Sequence, residues 1–229
     1  MIHVFKATTR MLDPTKSRLL EAAGEEFALK GFEGATVRSI CDRAGTNLAA
    51  VNYHFGDKEQ LYEQTVLHAH RCGPSMPPMI SGTGTAADDL RVYIAHFLQN
   101  VVAMESPTWH QTLMLREMVN PTKASETLVR EAIRPRFEML RGIIGRLCPS
   151  ADERRVQALA FSVVGQCLHY KLTRSISERL VGGEAFGRLD RDYLTDHITR
   201  FTLAALGEAP PFSSDDENPK LLAQRGAKA

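Results

Sequence analysis

Thr36-Val37-Arg38-Ser39-Ile40-Cys41-Asp42-Arg43-Ala44-Gly45-Thr46-Asn47-Leu48-Ala49-Ala50-Val51-Asn52-Tyr53-His54-Phe55 is the stretch from which the fold is read. A short helix is expected after Thr36, ending at Gly45, and another after Asn47, ending at Phe55-Gly56. Thr36 and Asn47 suit the cap position because their side chains accept hydrogen bonds from the free N–H groups of a first helical turn. Two short helices parted by Gly45-Thr46-Asn47 have the spacing of a helix-turn-helix, whose second helix enters the major groove of DNA. In the second helix Val51 and Phe55 fall on one hidden face. Ala49, Ala50, Asn52, Tyr53 and His54 are left outward as small or hydrogen-bonding groups suited to approach base edges.

Outward from this pair the helical pattern continues. A preceding helix opens at Asp13-Pro14, an N-cap followed by proline at the first position, and stops at Gly31, where a residue without Cβ tolerates a left-handed turn. Its buried stripe is Leu19, Leu20, Ala23 and Phe27. Asp57 opens a fourth helix, with Gln60 in the capping-box position, that runs to about Cys72. Residues 73–84 are rich in proline and glycine and mark a hinge, since proline removes donors and glycine raises the entropic cost of a helix.

Further helices are expected over 86–104, 107–119, 125–147, 150–180 and 190–206, the third kinked by Pro135 and the fourth opened by the capping box Ser150-Ala151-Asp152-Glu153. Sustained two-residue alternation is missing, so the expected fold is all-α. The expected domains are a helix-turn-helix three-helix domain with an N-terminal arm (1–56), a connecting helix (57–72), a C-terminal ligand-binding and dimerisation domain (73–207) and a disordered tail (208–229).

Composition narrows the function classes less than the pattern does. The 229 residues carry a formal net charge of +1, so bulk electrostatics neither demands nor excludes a nucleic-acid partner. No stretch approaches the roughly 18 to 20 apolar residues that span a bilayer, and the first residues lack a signal-peptide pattern, which reads as a cytoplasmic protein without membrane contact. The four cysteines show no paired spacing that suggests a disulfide framework. No catalytic motif or acid/base constellation appears, so the chain reads as a non-enzyme with no cofactor.

The residues Thr36-Val37-Arg38-Ser39-Ile40, Ala44-Gly45, Val51-Asn52-Tyr53-His54-Phe55 and Lys58-Glu59-Gln60-Leu61 resemble the TetR family over about 17–61. Residues 47–56, with Arg134-Pro135-Arg136-Phe137, are similar to its CecR subgroup. The resemblance implies that Thr36, Tyr53, His54 and Lys58 touch phosphates while Asn47, Ala49, Ala50 and Asn52 face bases. Asn47, Ala49 and Asn52 depart from the commonest family residues, so a docking face is implied and an operator sequence is not. Lys6, Arg10, Lys16 and Arg18 suit either an arm on the DNA or a solvated charged tail.

The resemblance also implies a homodimer in which the last two long helices pair with their symmetry mates, with Val156, Ala160, Val163, Cys167, Leu194, Ile198 and Phe201 as the interface stripe. Intrachain core is the other reading of that stripe. Phe97, Trp109, His110, Met114, Arg116, Glu117 and Tyr170 have the mixed aromatic and polar composition of a small-molecule pocket, and equally of a core whose charges pair internally. His68, His70 and Cys72 bunch at the end of the fourth helix without a second ligand-like pair, so no metal site is assigned.

The resulting expectation is a homodimeric repressor on a palindromic double-stranded DNA operator, released by a small-molecule effector of unspecified identity. A DNA-binding regulator without an effector, or a helical ligand-binding protein that does not bind DNA, are the alternatives.

Overall fold

The computed structural model describes residues 13–72, 84–102 and 108–208, and every regular element among them is helical. The expected arm residues Lys6 and Arg10, the hinge over 73–83 and the tail beyond 208 lie outside the described residues. Contacts divide the described residues into two compact units, with 108–134 joining 13–72 and 135–208 joining 84–102. This division cuts the chain differently from boundaries placed at residues 56, 72 and 207, because the helix over 109–119 packs onto the first and fourth helices and that over 124–128 onto the fourth.

The first unit holds α1 (Pro14–Gly34), α2 (Val37–Ala44), α3 (Leu48–His54), α4 (Lys58–Cys72), α6 (Trp109–Val119), α7 (Ala124–Leu128) and a π-turn (Val129–Ile133). Local chemistry sets its boundaries. Asp13 Oδ1 accepts from Thr15 N at 2.8 Å and Lys16 N at 3.2 Å, with Pro14 supplying a helical φ and no surplus donor. At Gly31 (φ 74°, ψ 174°) the helical path breaks before a last turn to Gly34, a conformation open almost only to glycine. Gly45 (φ 62°) ends α2 in the left-handed region, where Thr46 N reaches Cys41 O at 3.0 Å. Asp57 caps α4 by accepting from Gln60 N at 2.7 Å, and Gln60 Nε2 returns a bond to Asp57 Oδ2 at 3.2 Å.

Leu19, Leu20, Ala23, Phe27, Ile40, Val51, Phe55, Leu61, Val66 and Leu113 form the core of this unit. Phe27, Phe32 and Tyr62 meet edge to face or stacked, with centroids 4.8 to 6.3 Å apart. One position explains a mid-helix glycine that propensity disfavours. A Cβ on Gly24 would overlap the Trp109 ring, so α6 lays its indole directly on the α1 backbone.

The second unit holds α5 (Ala86–Val102), α8 (Arg134–Leu147, from Pro135), α9 (Glu153–Leu172), α10 (Arg174–Val181), α11 (Gly183–Gly187) and α12 (Arg191–Leu206). Its core is Leu90, Ile94 and Leu98 of α5 against Leu140 and Ile144 of α8, Ala160, Val163 and Cys167 of α9, and Leu194 and Ile198 of α12. Three local expectations shift. Asp152, not Ser150, caps α9, accepting from Arg155 N at 2.8 Å. The expected helix over 150–180 breaks at Thr173, whose Oγ1 bonds His169 O at 2.7 Å and competes with the backbone ladder. Pro135, which has no N–H for the carbonyl one turn back, follows a switch to wider π hydrogen bonding over Val129–Ile133.

Candidate nucleic-acid interface

The helix-turn-helix is held by a buried carboxylate. Glu26 of α1 lies at 3% exposure, ion-paired to Lys30 at 2.6 Å and to Arg43 of α2 at 2.9 Å, with Ser39 Oγ of α2 donating at 3.1 Å. The Lys30 bond, with Arg43 and Ser39 adding to it, holds its carboxyl below the usual value in spite of burial. Charge-assisted bonds of this kind fix the angle between α1 and α2, and through the tight Gly45 turn the position of α3.

On α3, Val51 and Phe55 enter the core while Ala49, Asn52 and Tyr53 face outward, Tyr53 at 84% exposure. Thr36 Oγ1 and Asn47 Oδ1 are occupied as caps, accepting from Ser39 N and Ala50 N at 3.1 Å each, which leaves the Asn47 amide N–H groups to face a ligand. Two expected contacts sit differently from the sequence reading. Ala50 is half-buried and packs against the core cluster. His54 has a side chain only 12% exposed, with Nε2 3.9 Å from Asp13 and its ring edge-on to Tyr53 at 4.9 Å, so it packs against the start of α1. Lys58 places Nζ 4.5 Å above the Phe32 ring, and Lys16 lies 5.3 Å over Phe55. Such exposed cation–π contacts are worth about 0.5 to 1 kcal/mol, small enough to yield to a phosphate. Arg38, exposed on α2 beside Thr36, is a cation the sequence reading left unassigned.

The residues expected to line a pocket fall in both units. In the first, Arg116 donates from Nε to Ala28 O at 2.9 Å and from Nη2 to Leu29 O at 3.2 Å, meeting the carbonyls left open where α1 breaks at Gly31. Glu117, 1% exposed, accepts from Tyr62 Oη at 2.7 Å, from Thr122 N at 2.7 Å and from Thr122 Oγ1 at 2.9 Å. Both charges that had suggested a ligand have protein partners, and for buried Glu117 the pairing is what offsets the cost of burying its charge. Trp109 and Met114 pack against the core, Trp109 stacking on His110 at 3.6 Å. In the second unit Phe97 and Tyr170 are half-buried against the core.

Comparison with known proteins decides the family. Residues 19–65 match the model for bacterial regulatory proteins of the tetR family, and residues 86–206, more than half of the chain, match that for the C-terminal domain of the HTH-type transcriptional dual regulator CecR. The chain belongs to the TetR family. Over 201 residues it is 23% identical to the dual regulator CecR of Shigella flexneri, covering 82% of this chain and 89% of that one. It is 49% identical over 51 residues to the transcriptional repressor AcnR of Corynebacterium glutamicum, a match spanning 21% of this chain and only 27% of AcnR. The solved structure of TylP, a TetR regulator from Streptomyces fradiae, superposes with a TM-score of 0.52 at 21% identity over 94% of this chain and 98% of its own. These names are those of regulators and none is that of an enzyme, in line with the expectation from the sequence.

The stripe expected to join two copies of this TetR-family chain lies mostly in the core of its own chain. Ala160, Val163, Cys167, Leu194 and Ile198 are at most 1% exposed within their own chain, and Val156 packs against the same core. Only Phe201 of that set faces outward, at 51% exposure. Periodicity left open what fills the stripe, and packing fills most of it from within the chain. The outward apolar groups are instead Phe161 and Leu172 of α9, Ile176 and Leu180 of α10, and Tyr193 and Phe201 of α12. The Tyr193 and His197 rings stack at 6.2 Å, and Phe201 continues the row. His68 also has a partner outside its own helix. Its Nε2 lies 3.2 Å from Glu21 of α1, whereas the Cys72 side chain lies outside the described residues.

Among the described residues no helix is long and apolar enough to cross a membrane.

Proposed function

We propose that this chain is a homodimeric, cytoplasmic transcription regulator that reads a palindromic duplex through α3 and is released from it by a small-molecule effector. The observation that carries the DNA part is the outward Ala49, Asn52 and Tyr53 on a helix whose Val51 and Phe55 are locked in the core, on a domain braced by buried Glu26. In this reading residues 14–56 form the reading head and α4 the connecting helix. Asn52 has the two-point donor and acceptor that matches adenine, Ala49 suits a thymine methyl, and Tyr53, Lys58 and Thr36 meet phosphates.

Self-association is supported by the exposed apolar groups of α9, α10 and α12, which a second copy can cover. A two-fold dimer presents two copies of α3 to half-sites about one helical turn apart. The effector reading is supported by the second unit, where burial holds half-buried Arg136 below its ordinary pKa with Tyr93 close by, and where Phe97 and Tyr170 pack half-buried against the core. A half-buried cation on a unit rich in aromatic groups suits an aromatic or apolar molecule with a polar group.

Selection of genomic fragments by the purified protein, followed by sequencing, tests the DNA reading: an inverted-repeat consensus is expected, and no enrichment over random fragments refutes it. Sedimentation tests the dimer. Phe161→Glu with Phe201→Glu is expected to give folded monomers, whereas a dimer that persists in that double variant places the interface elsewhere.

A further inference from the structure

Three helices of the first unit bring nitrogen and oxygen ligands to one point. Glu21 of α1, His68 of α4 and His110 of α6 each offer one ligand atom, and the three atoms lie within 4.8 Å of one another. Glu21 Oε1 and His68 Nε2 are already 3.2 Å apart. Two ligands on a tetrahedral ion with bonds of about 2.0 Å stand about 3.3 Å apart, so this pair has the required separation and His110 needs a shift of at most about 1.5 Å.

Two further features point to an ion rather than a simple ion pair. His110 Nε2 is buried and has no hydrogen-bond partner, a state that costs free energy unless something fills it. Beside it, Trp109 Nε1 donates to Glu21 Oε2 at 3.0 Å, orienting the carboxylate with its other oxygen beside His68. Such outer contacts are what fix a ligating carboxylate in metal sites. A His68–Glu21 hydrogen bond by itself accounts for that pair and leaves the His110 nitrogen unexplained.

We propose that Glu21, His68 and His110 form a binding site for a divalent transition-metal ion, with zinc the best match to two imidazoles, one carboxylate and an open fourth position. The ion pins α1 of the reading head to α4 and α6. No thiolate takes part, and the ligands come from three helices rather than from the His68, His70 and Cys72 cluster on one.

Trp109 is the single tryptophan of the chain and stacks on His110 at 3.6 Å, so it reports on occupancy directly. The test uses the tag-free full chain, stripped with a chelator and moved to chelator-free buffer. Nickel is expected to quench Trp109 emission saturably with one equivalent, reversibly with EDTA, and zinc to raise the melting temperature. His110→Ala and Glu21→Gln each weaken binding by at least about tenfold, since a direct ligand matters no less than an outer contact. His70→Ala leaves it unchanged. Circular dichroism without metal checks each fold, and the near-isosteric Glu21→Gln carries the test if His110→Ala does not fold. Absence of saturable quenching in the folded wild type overturns the proposal. So does one-equivalent binding that survives both substitutions. Neither readout contains DNA, so this result and the operator selection succeed or fail independently.

Discussion

Gly24→Ala sets two physical effects against each other. Glycine inside a helix is about 0.8 to 1 kcal/mol less favourable than alanine, so propensity alone makes the variant more stable by about 1 kcal/mol. The structure reverses the sign. The added Cβ falls inside the van der Waals envelope of the Trp109 six-membered ring, and the indole has little room to retreat. It is stacked on His110 at 3.6 Å and tethered through Nε1 to Glu21 at 3.0 Å. Overpacking in a filled core costs about 1 to 3 kcal/mol, and losing a hydrogen bond to a charged acceptor adds about 1.5 to 3 at full burial. Because Glu21 is exposed, the smaller part of that range applies, and the net expectation is a loss of about 1 to 3 kcal/mol. Urea unfolding followed by circular dichroism gives the stability, and the emission of the single tryptophan reports whether the ring has moved toward water. A variant as stable as the wild type or more so, with unshifted emission, would falsify the reasoning, since it would mean that α6 does not lie on α1 as described.

The reading head is tested by contrast. Lys58→Ala should weaken all duplexes alike and flatten the salt dependence by about one unit per lost phosphate contact, while Asn52→Ala relaxes preference at one base pair by about 1 to 3 kcal/mol. Equal behaviour of the two variants in binding isotherms across salt and operator mutants contradicts the assigned face. Arg116→Met removes the donors that meet Ala28 O and Leu29 O, so it should lower stability by about 1 to 3 kcal/mol and loosen α1; unchanged thermal unfolding returns Arg116 to the list of ligand contacts. Glu26 has a folded pKa depressed by Lys30, Arg43 and Ser39, so its contribution is complete above the ordinary value of 4.5 and is lost as pH falls through the lower folded value. Glu26→Gln should therefore be less stable at neutral pH and show a shallower acid loss than the wild type, and parallel stability curves from pH 7 to about 3 would show that Glu26 does not supply this linkage.

What the sequence determined by itself was whatever a few neighbouring residues decide. Asp13, Thr36, Asn47 and Asp57 cap the helices they were read to cap, because a cap is a bond between a side chain and an N–H two or three residues on. Gly31 and Gly45 break the chain where expected, since only the local φ is at issue. The spacing of the helix-turn-helix and its Val51 and Phe55 face were legible for the same reason.

Tertiary structure alone decided which surface fills each apolar stripe. Val163, Cys167 and Ile198 have the periodicity of an interface and of a core alike, and it was packing against α5 and α8 that made them core and turned Phe161 and Phe201 outward. Arg116 and Glu117 read as charges in search of a ligand until α1 and α4 brought them carbonyls and a tyrosine hydroxyl from far along the chain. Glu21, His68 and His110, spread over three helices, share no local spacing that marks them as a set. Each of these depends on contacts between residues distant in sequence, and periodicity within one helix carries no information about what that helix meets.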